Sequence, residues 1–324
     1  MKFRNILITS AALLFSAASI SAATSTSAHT WVSGSGSDTN PCTFASPCLT
    51  FQGALANTSA GGTITAKDAG DFGFVNIAQS VTIDGSNLGS ITGPNSGINI
   101  AGAVNVVLQN LIINNVNSVS DISVNPLSGG TLIVDNCRIS NTGTGGGIYF
   151  GGAGTLIVVN SRIDLPNGNV GIFINGDAAE NVVVKNTVID ASPLSETNVG
   201  FGVGSGIGPV MASLQNVTIM GAGNAAVWTQ AGITQITGSV LTQSYVGVDA
   251  INGSTISVAS SLITANTTGV CSGTSSKIRL DNNDIYDNTT AIANCGGTVK
   301  TSGTNKTSGT IAIPASDVSN SVTF

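Results

Sequence analysis

A six-residue phrase recurs nine times along the chain: an aliphatic residue, any residue, Asn or Gly or Ser, a small or apolar residue, any residue, then Ile or Leu. It opens at Ile83, Leu108, Val134, Val158, Val184, Leu214, Ile236, Val258 and Leu280. It closes at Leu88, Ile113, Ile139, Ile163, Ile189, Ile219, Leu241, Ile263 and Ile285. Successive copies lie 25, 26, 24, 26, 30, 22, 22 and 22 residues apart, too short for a propeller blade and right for one coil of a β-solenoid. A single repeat of this size cannot bury its own aliphatic positions, so the chain gains a core only by stacking coil on coil.

A second aliphatic column keeps the same register: Ile98, Ile122, Ile148, Ile172, Val203, Val227, Val248, Val270 and Ile292. Gly precedes it six times, at Gly97, Gly147, Gly171, Gly202, Gly247 and Gly269, and Asp121, Ala226 and Ala291 fill the remaining places. Side chains alternate along a strand, so a constant offset stacks like on like and makes the two columns walls of one core. The phrase's third position is Asn110, Asn136, Asn160, Asn186, Asn216 or Asn282, exchanged for Gly85, Gly238 and Ser260. Asn and Gly both tolerate the left-handed backbone region, which marks this position as a corner between strands rather than a catalytic row.

Around the repeat the chain divides into four parts. Residues 1–23 carry Lys2 and Arg4, an apolar run and Ser21-Ala22-Ala23, the pattern of a secretory signal peptide. Residues 24–61 are expected to form an N-terminal cap with a short helix, because an open stack of strands exposes unpaired backbone at its ends. Within it Cys42 and Cys48 close a small loop that an exported chain holds as a disulfide. Residues 62–304 are the coils, about ten of them, and 305–324 a polar tail or second cap. The excess length at 191–209, which includes Glu196, is expected to stand off the stack as a loop. The reading is therefore all-β, exported, monomeric, and without a membrane span.

The opening residues carry a resemblance. Trp31-Val32-Ser33-Gly34, Asp38, Asn40-Pro41-Cys42, Pro47-Cys48, Thr50-Phe51, Ala54-Leu55 and Gly61-Gly62-Thr63-Ile64 resemble the start of secreted bacterial right-handed parallel β-helix proteins of the pectin-lyase-like superfamily. The coil phrase is similar to that superfamily's repeat over nearly the whole mature chain. The resemblance implies a single-stranded right-handed parallel β-helix; it does not imply an activity, since the superfamily holds lyases, hydrolases and adhesins. Its calcium-dependent lyases carry a carboxylate cluster with an Arg or Lys base, and its hydrolases several Asp and a Gly-His-Gly element. Here no Gly-His-Gly exists and Asp249 stands almost alone on its face, so no catalytic residue is carried over.

Composition narrows the partners. Net charge is −6 with no cluster of Lys or Arg, which excludes nucleic acid and sits awkwardly with a strongly acidic polymer. The single histidine, His29, precedes the coils, which removes His-based nucleophiles and His-rich metal sites. The run Gly34-Ser35-Gly36-Ser37-Asp38 is one copy of a glycine-aspartate pattern and is read as a turn.

Three sets of residues remain as candidates. Aromatics are only 5% of the chain, yet Tyr149, Phe173 and Trp228 share the outward column that also holds Gly204 and Asp249. Such rings either stack on sugar faces or pack beneath the long loops. A charged patch, Asp135, Arg138, Arg162, Asp164, Lys185 and Asp190, either binds Ca²⁺ or acidic sugar, does acid–base work, or forms a salt-bridged solvated face. Cys271 and Cys295 fall on successive coils, staggered by two residues, so a bridge between them needs a bend; Cys137 is the unpaired fifth, an inward filler. The preferred function is non-catalytic binding of extracellular polysaccharide or cell-surface glycan through Tyr149, Phe173 and Trp228, with no cofactor or metal. The alternatives are a polysaccharide lyase or glycoside hydrolase on a uronate-type polymer, the lyase being the one case that brings in Ca²⁺, and a structural or adhesive rod.

Overall fold

The computed structural model describes residues 26–93, 97–115, 120–141, 143, 145–166, 170–175, 178–192, 197–206 and 208–312. Residues 1–23, expected from the sequence to be a signal peptide, Glu196 and the residues beyond 312 lie outside them. The coils present three strand faces, two of them joined in the continuous strands Ile122–Asp135 and Ile148–Val159, and the strand pairings between neighbouring coils are parallel. Face 1 carries the first half of the phrase, as in Asn105–Gln109, Glu180–Lys185, Ile233–Thr237 and Lys277–Asp281. Face 2 follows the Asn corner, as in Ile112–Asn115, Arg138–Asn141, Arg162–Asp164 and Val188–Asp190. Face 3 carries the second column, as in Val170–Ile174, Val199–Val203, Ala225–Thr229 and Val246–Ala250. Eleven strands stack on face 2, close to the about ten coils expected from the spacing.

The phrase's last position behaves as its periodicity requires. Ile113, Ile139, Ile163, Ile189, Ile219, Leu241, Ile263 and Ile285 are consecutive register partners, all fully buried. Each removes a branched aliphatic side chain from water, worth about 1.5–3 kcal/mol.

Two positions depart from the expected columns. Leu88 is exposed, and Ile91 is the residue that pairs with Ile113. The corner there is built differently: Ser86 and Asn87 take positive φ, and the carbonyl oxygen of Asn110 crowds Gly85. On the longest coil Phe201, rather than Val203, pairs with Ile172 and Val227, which puts Gly202 rather than Gly204 in the outward column. Both Phe201 and Val203 are buried, and a two-residue slip leaves the facing direction unchanged, so alternation alone does not choose between them. The 191–209 excess is likewise not one loop, because the strand Val199–Val203 runs through its middle.

The corner is a ladder of amides. Asn110, Asn136, Asn160, Asn186, Asn216 and Asn282 all have φ between 50° and 56°, with Ser260 at 49° and Gly238 at 59°. Asn136 donates to Asn110, Asn186 to Asn160, and Asn216 to Asn186, at 2.8, 3.2 and 2.9 Å. A second ladder runs inside it. The backbone N–H groups of Val217, Ser239, Ser261 and Asn283 each donate to the side-chain oxygen one coil on, at Ser239, Ser261, Asn283 and Asn305. These four steps share a separation of 22 residues.

At the start, the strand Ser27–Val32 pairs with the first coil, and the helix Phe51–Asn57 buries Phe51, Ala54 and Leu55 over it. Thr50 caps that helix by accepting from the Gly53 N–H at 2.9 Å. The Asp38 carboxylate holds the N–H groups of Leu49 and Thr50, which accounts for Asp38 as a turn residue. Cys42–Cys48 and Cys271–Cys295 are disulfides. The second closes across a Cα separation of 5.7 Å at the end of the strand Thr290–Cys295, after which Gly296 takes a φ of 90° and forms an antiparallel bridge to Gly273. Cys137 is free and buried, and burial pushes its thiol up to about 12.

Candidate functional site

Face 3 presents one outward side chain per coil at the centre of each strand. In register order these are Asn99, Ser123, Tyr149, Phe173, Gly202, Trp228, Asp249, Cys271 and Ala293. The Tyr149 and Phe173 rings have centroids 5.9 Å apart and planes at 27°. They lean across the sheet onto glycine: a Cβ at Gly151 would lie 3.1 Å from Tyr149 Cε1, and one at Gly204 would lie 3.0 Å from Phe173 Cζ. Gly202 fills the place between Phe173 and Trp228, and a Cβ there would meet Phe173 Cδ2 and Trp228 Cε3, both at 3.4 Å. Phe173 and Trp228 therefore flank a position with room for little more than a methyl group. The three aromatics are half-buried, neither bare nor sealed beneath the loops. They form an apolar strip that crosses three coil steps, roughly 14 Å at the usual strand spacing.

The strip ends on a carboxyl group. Asp249 is the register partner of Trp228 on one side and of disulfide-bonded Cys271 on the other. Among the described residues nothing donates to it; Oδ1 is sealed from solvent without a partner, which leaves Oδ2 as the oxygen that reaches the surface. With an indole and a cystine as its stacked neighbours, desolvation pushes Asp249 up to about 6. From the sequence Asp249 stood almost alone on its face; the signal that links it to the site is its register with Trp228.

The charged patch on face 2 resolves into ion pairs. Arg138 and Arg162 share one outward column, and Asp164 and Asp190 the next. Arg138 Nη2 lies 3.2 Å from Asp164 Oδ2, Arg162 Nε 2.7 Å from Asp164 Oδ1, and Arg162 Nη2 3.0 Å from Asp190 Oδ2. Asp135 accepts from Asn160 at 2.9 Å, while Lys185 stands exposed at the edge of face 1. Solvated pairs of this kind contribute about 0–1 kcal/mol each. They also occupy the cations that an acidic sugar would need. Among the described residues no group of three or more His, Cys, Asp or Glu side chains is placed to hold a metal ion.

The parallel stacking and the repeated left-handed corner define the fold as a parallel β-helix. Residues 74–208 match the family model of the right-handed β-helix region. Among solved structures the chain is similar to pectate lyase Pel9A, at 14% identity over 92% of this chain and 79% of that one, with a TM-score of 0.52. It is also similar to a rhamnogalacturonan lyase, at 11% identity over 90% of this chain and 86% of that one, with a TM-score of 0.45. At 14% identity the likeness to Pel9A is one of fold. No curated protein matches the sequence.

Proposed function

We propose that this β-helix is an exported, non-catalytic binder of extracellular polysaccharide or cell-surface glycan, and that Tyr149, Phe173 and Trp228 are its contact surface. The observation that carries the reading is the row itself, two near-parallel rings and a third in the same column on the far side of Gly202. Sugar rings offer apolar C–H faces with hydroxyls at their edges, which suits half-buried aromatics standing in a polar surround. The two disulfides fit an oxidising compartment. Asp249 favours a second reading, a hydrolase or lyase, because a carboxyl raised to about 6 beside an apolar ring holds a proton where acid catalysts do. No second carboxylate shares its column, which leaves the binding reading in front.

The test is a glycan array read with wild type and Trp228→Ala, in parallel with a turnover screen on the glycans retained. Binding lost in the variant, without turnover by wild type, is the expected result. Retention that ignores the substitution removes the strip from the function, and turnover moves the protein to the second reading.

A further inference from the structure

We infer that the face 3 strip takes an uncharged sugar chain and rejects uronates, with Asp249 accepting a hydroxyl hydrogen bond from the sugar stacked on Trp228. The inference rests on the strip being the glycan-contact surface and names the chemistry of its ligand.

The first argument is the placement of cations. The chain has ten Lys and Arg residues, of which Lys2 and Arg4 precede the described residues. Arg138, Arg162 and Lys306 lie on face 2. Lys185, Lys277, Arg279 and Lys300 lie on face 1, and Lys67 follows the face 1 strand Thr58–Ala66. None lies on face 3, and the loop segments on either side of its strands contain no Lys or Arg in their sequence. A polymer with a carboxylate on every sugar needs counter-charges along its path; this path offers none, and it ends on an acid.

The second argument is the unmet hydrogen bonding of Asp249. A half-buried carboxyl that no described residue donates to, with Oδ1 sealed and unpartnered, is costly to keep. The elements packed beside it, Ala225–Thr229 and Thr268–Gly273, bring it Trp228 and bonded Cys271 and no titratable or charged group. A sugar hydroxyl donating to the surface-reaching Oδ2 gives the carboxyl a donor that no described residue provides, whereas a uronate carboxylate brings a second negative charge to the same place.

The cations gather instead on face 1. Arg279 and Lys300 are register partners there, without an acidic partner among the described residues, and line a groove of about 470 Å³ with Gln235, Ser257 and Asp281. An acidic chain would be drawn to that surface, which makes dependence on Trp228 the criterion for binding at the strip.

Binding of hexasaccharides of glucose, of mannose and of galacturonic acid is measured by calorimetry at pH 7.5 for wild type, Trp228→Ala, Asp249→Ala and Asp249→Asn, each checked for an unchanged melting transition. The expected result is that at least one neutral hexasaccharide binds in a Trp228-dependent manner. It should lose roughly tenfold in Asp249→Ala, the scale of one hydrogen bond to a charged group. Trp228-dependent binding of the galacturonate should be at least tenfold weaker than that of the neutral chain, and Asp249→Asn should narrow the gap. Trp228-dependent binding of galacturonate as tight as the neutral chains, or neutral binding indifferent to Asp249→Ala, overturns the inference while leaving the strip as the contact surface. Binding unmoved by Trp228→Ala for every sugar fails the strip itself.

Discussion

Asp121 faces into the coil stack at the station that Gly147 holds on the next coil, the residue before each inward isoleucine, Ile122 and Ile148. Neither of its carboxyl oxygens has a hydrogen-bond partner among the described residues, and desolvation pushes it up to about 8. Its proton is held more tightly in the folded chain than in the unfolded one. Stability is therefore full below pH 3.8 and is lost as pH rises from there to about 8. At roughly 1.4 kcal/mol for each pH unit the cost at the upper end is on the order of 5 kcal/mol. Ala226 and Ala291 occupy the same station on other coils, so Asp121→Ala is expected to stabilise the protein by several kcal/mol at pH 8 and by much less at pH 4. Urea melts at the two pH values check this; equal effects would mean the carboxyl is not the cause.

The Asn corner predicts an order among substitutions. Asn160 has φ of 52°, donates to Asp135 and accepts from Asn186. Asn160→Ala loses the ladder contacts and forces an L side chain into the left-handed region, at about 2–3 kcal/mol. Asn160→Gly loses only the contacts, at about 1 kcal/mol. Denaturant midpoints should rank wild type above the Gly variant and the Gly variant above the Ala variant.

Gly202 has room for little. A methyl group at ordinary contact distance from Phe173 and Trp228 makes Gly202→Ala close to neutral in stability, within about 1 kcal/mol. Gly202→Leu must push the two rings apart. Its signature is weakened glycan binding with the coils still folded, seen as an unchanged far-ultraviolet dichroism spectrum.

Trp228 should report on Asp249. The chain has two tryptophans, so in a Trp31→Phe background the fluorescence comes from Trp228 alone. Its emission is expected to titrate with a midpoint near 6, the value set by burial of the carboxyl, and Asp249→Asn should abolish the transition. The same raised value means that Asp249 favours folding most below pH 3.8 and progressively less up to about 6.

How far the sequence could be read follows from what a period of two residues encodes. Ile139 over Ile163, the left-handed Asn110 and the inward Cys137 were all legible, because a repeated offset determines facing direction and corner chemistry. The slip from Val203 to Phe201 was not, since both side chains point inward and the longest coil gives no internal spacing to compare. Leu88 matched the phrase in letters while Ile91 matched it in space, because a longer corner at Ser86 and Asn87 moved the strand along. At the site, Tyr149, Phe173 and Trp228 were visible as an outward row. The bearing of Asp249 on them was not, because an unpartnered oxygen is a property of surroundings rather than of sequence. Spacing left Arg138 and Arg162 open to ligand binding, acid–base work or a salt-bridged face, and the contacts to Asp164, at 3.2 Å from Arg138 and 2.7 Å from Arg162, show them paired.

The last coils repeat at 22 residues, and their inner ladder passes from Ser239 to Ser261 to Asn283 to Asn305 without a change of step. Segments of equal length with matching seams are exchangeable parts. Gene duplication or loss of one such segment would alter the reach of the rod by a single storey and leave all other residues aimed as before, so the length of a molecule like this can evolve independently of what its surface recognises.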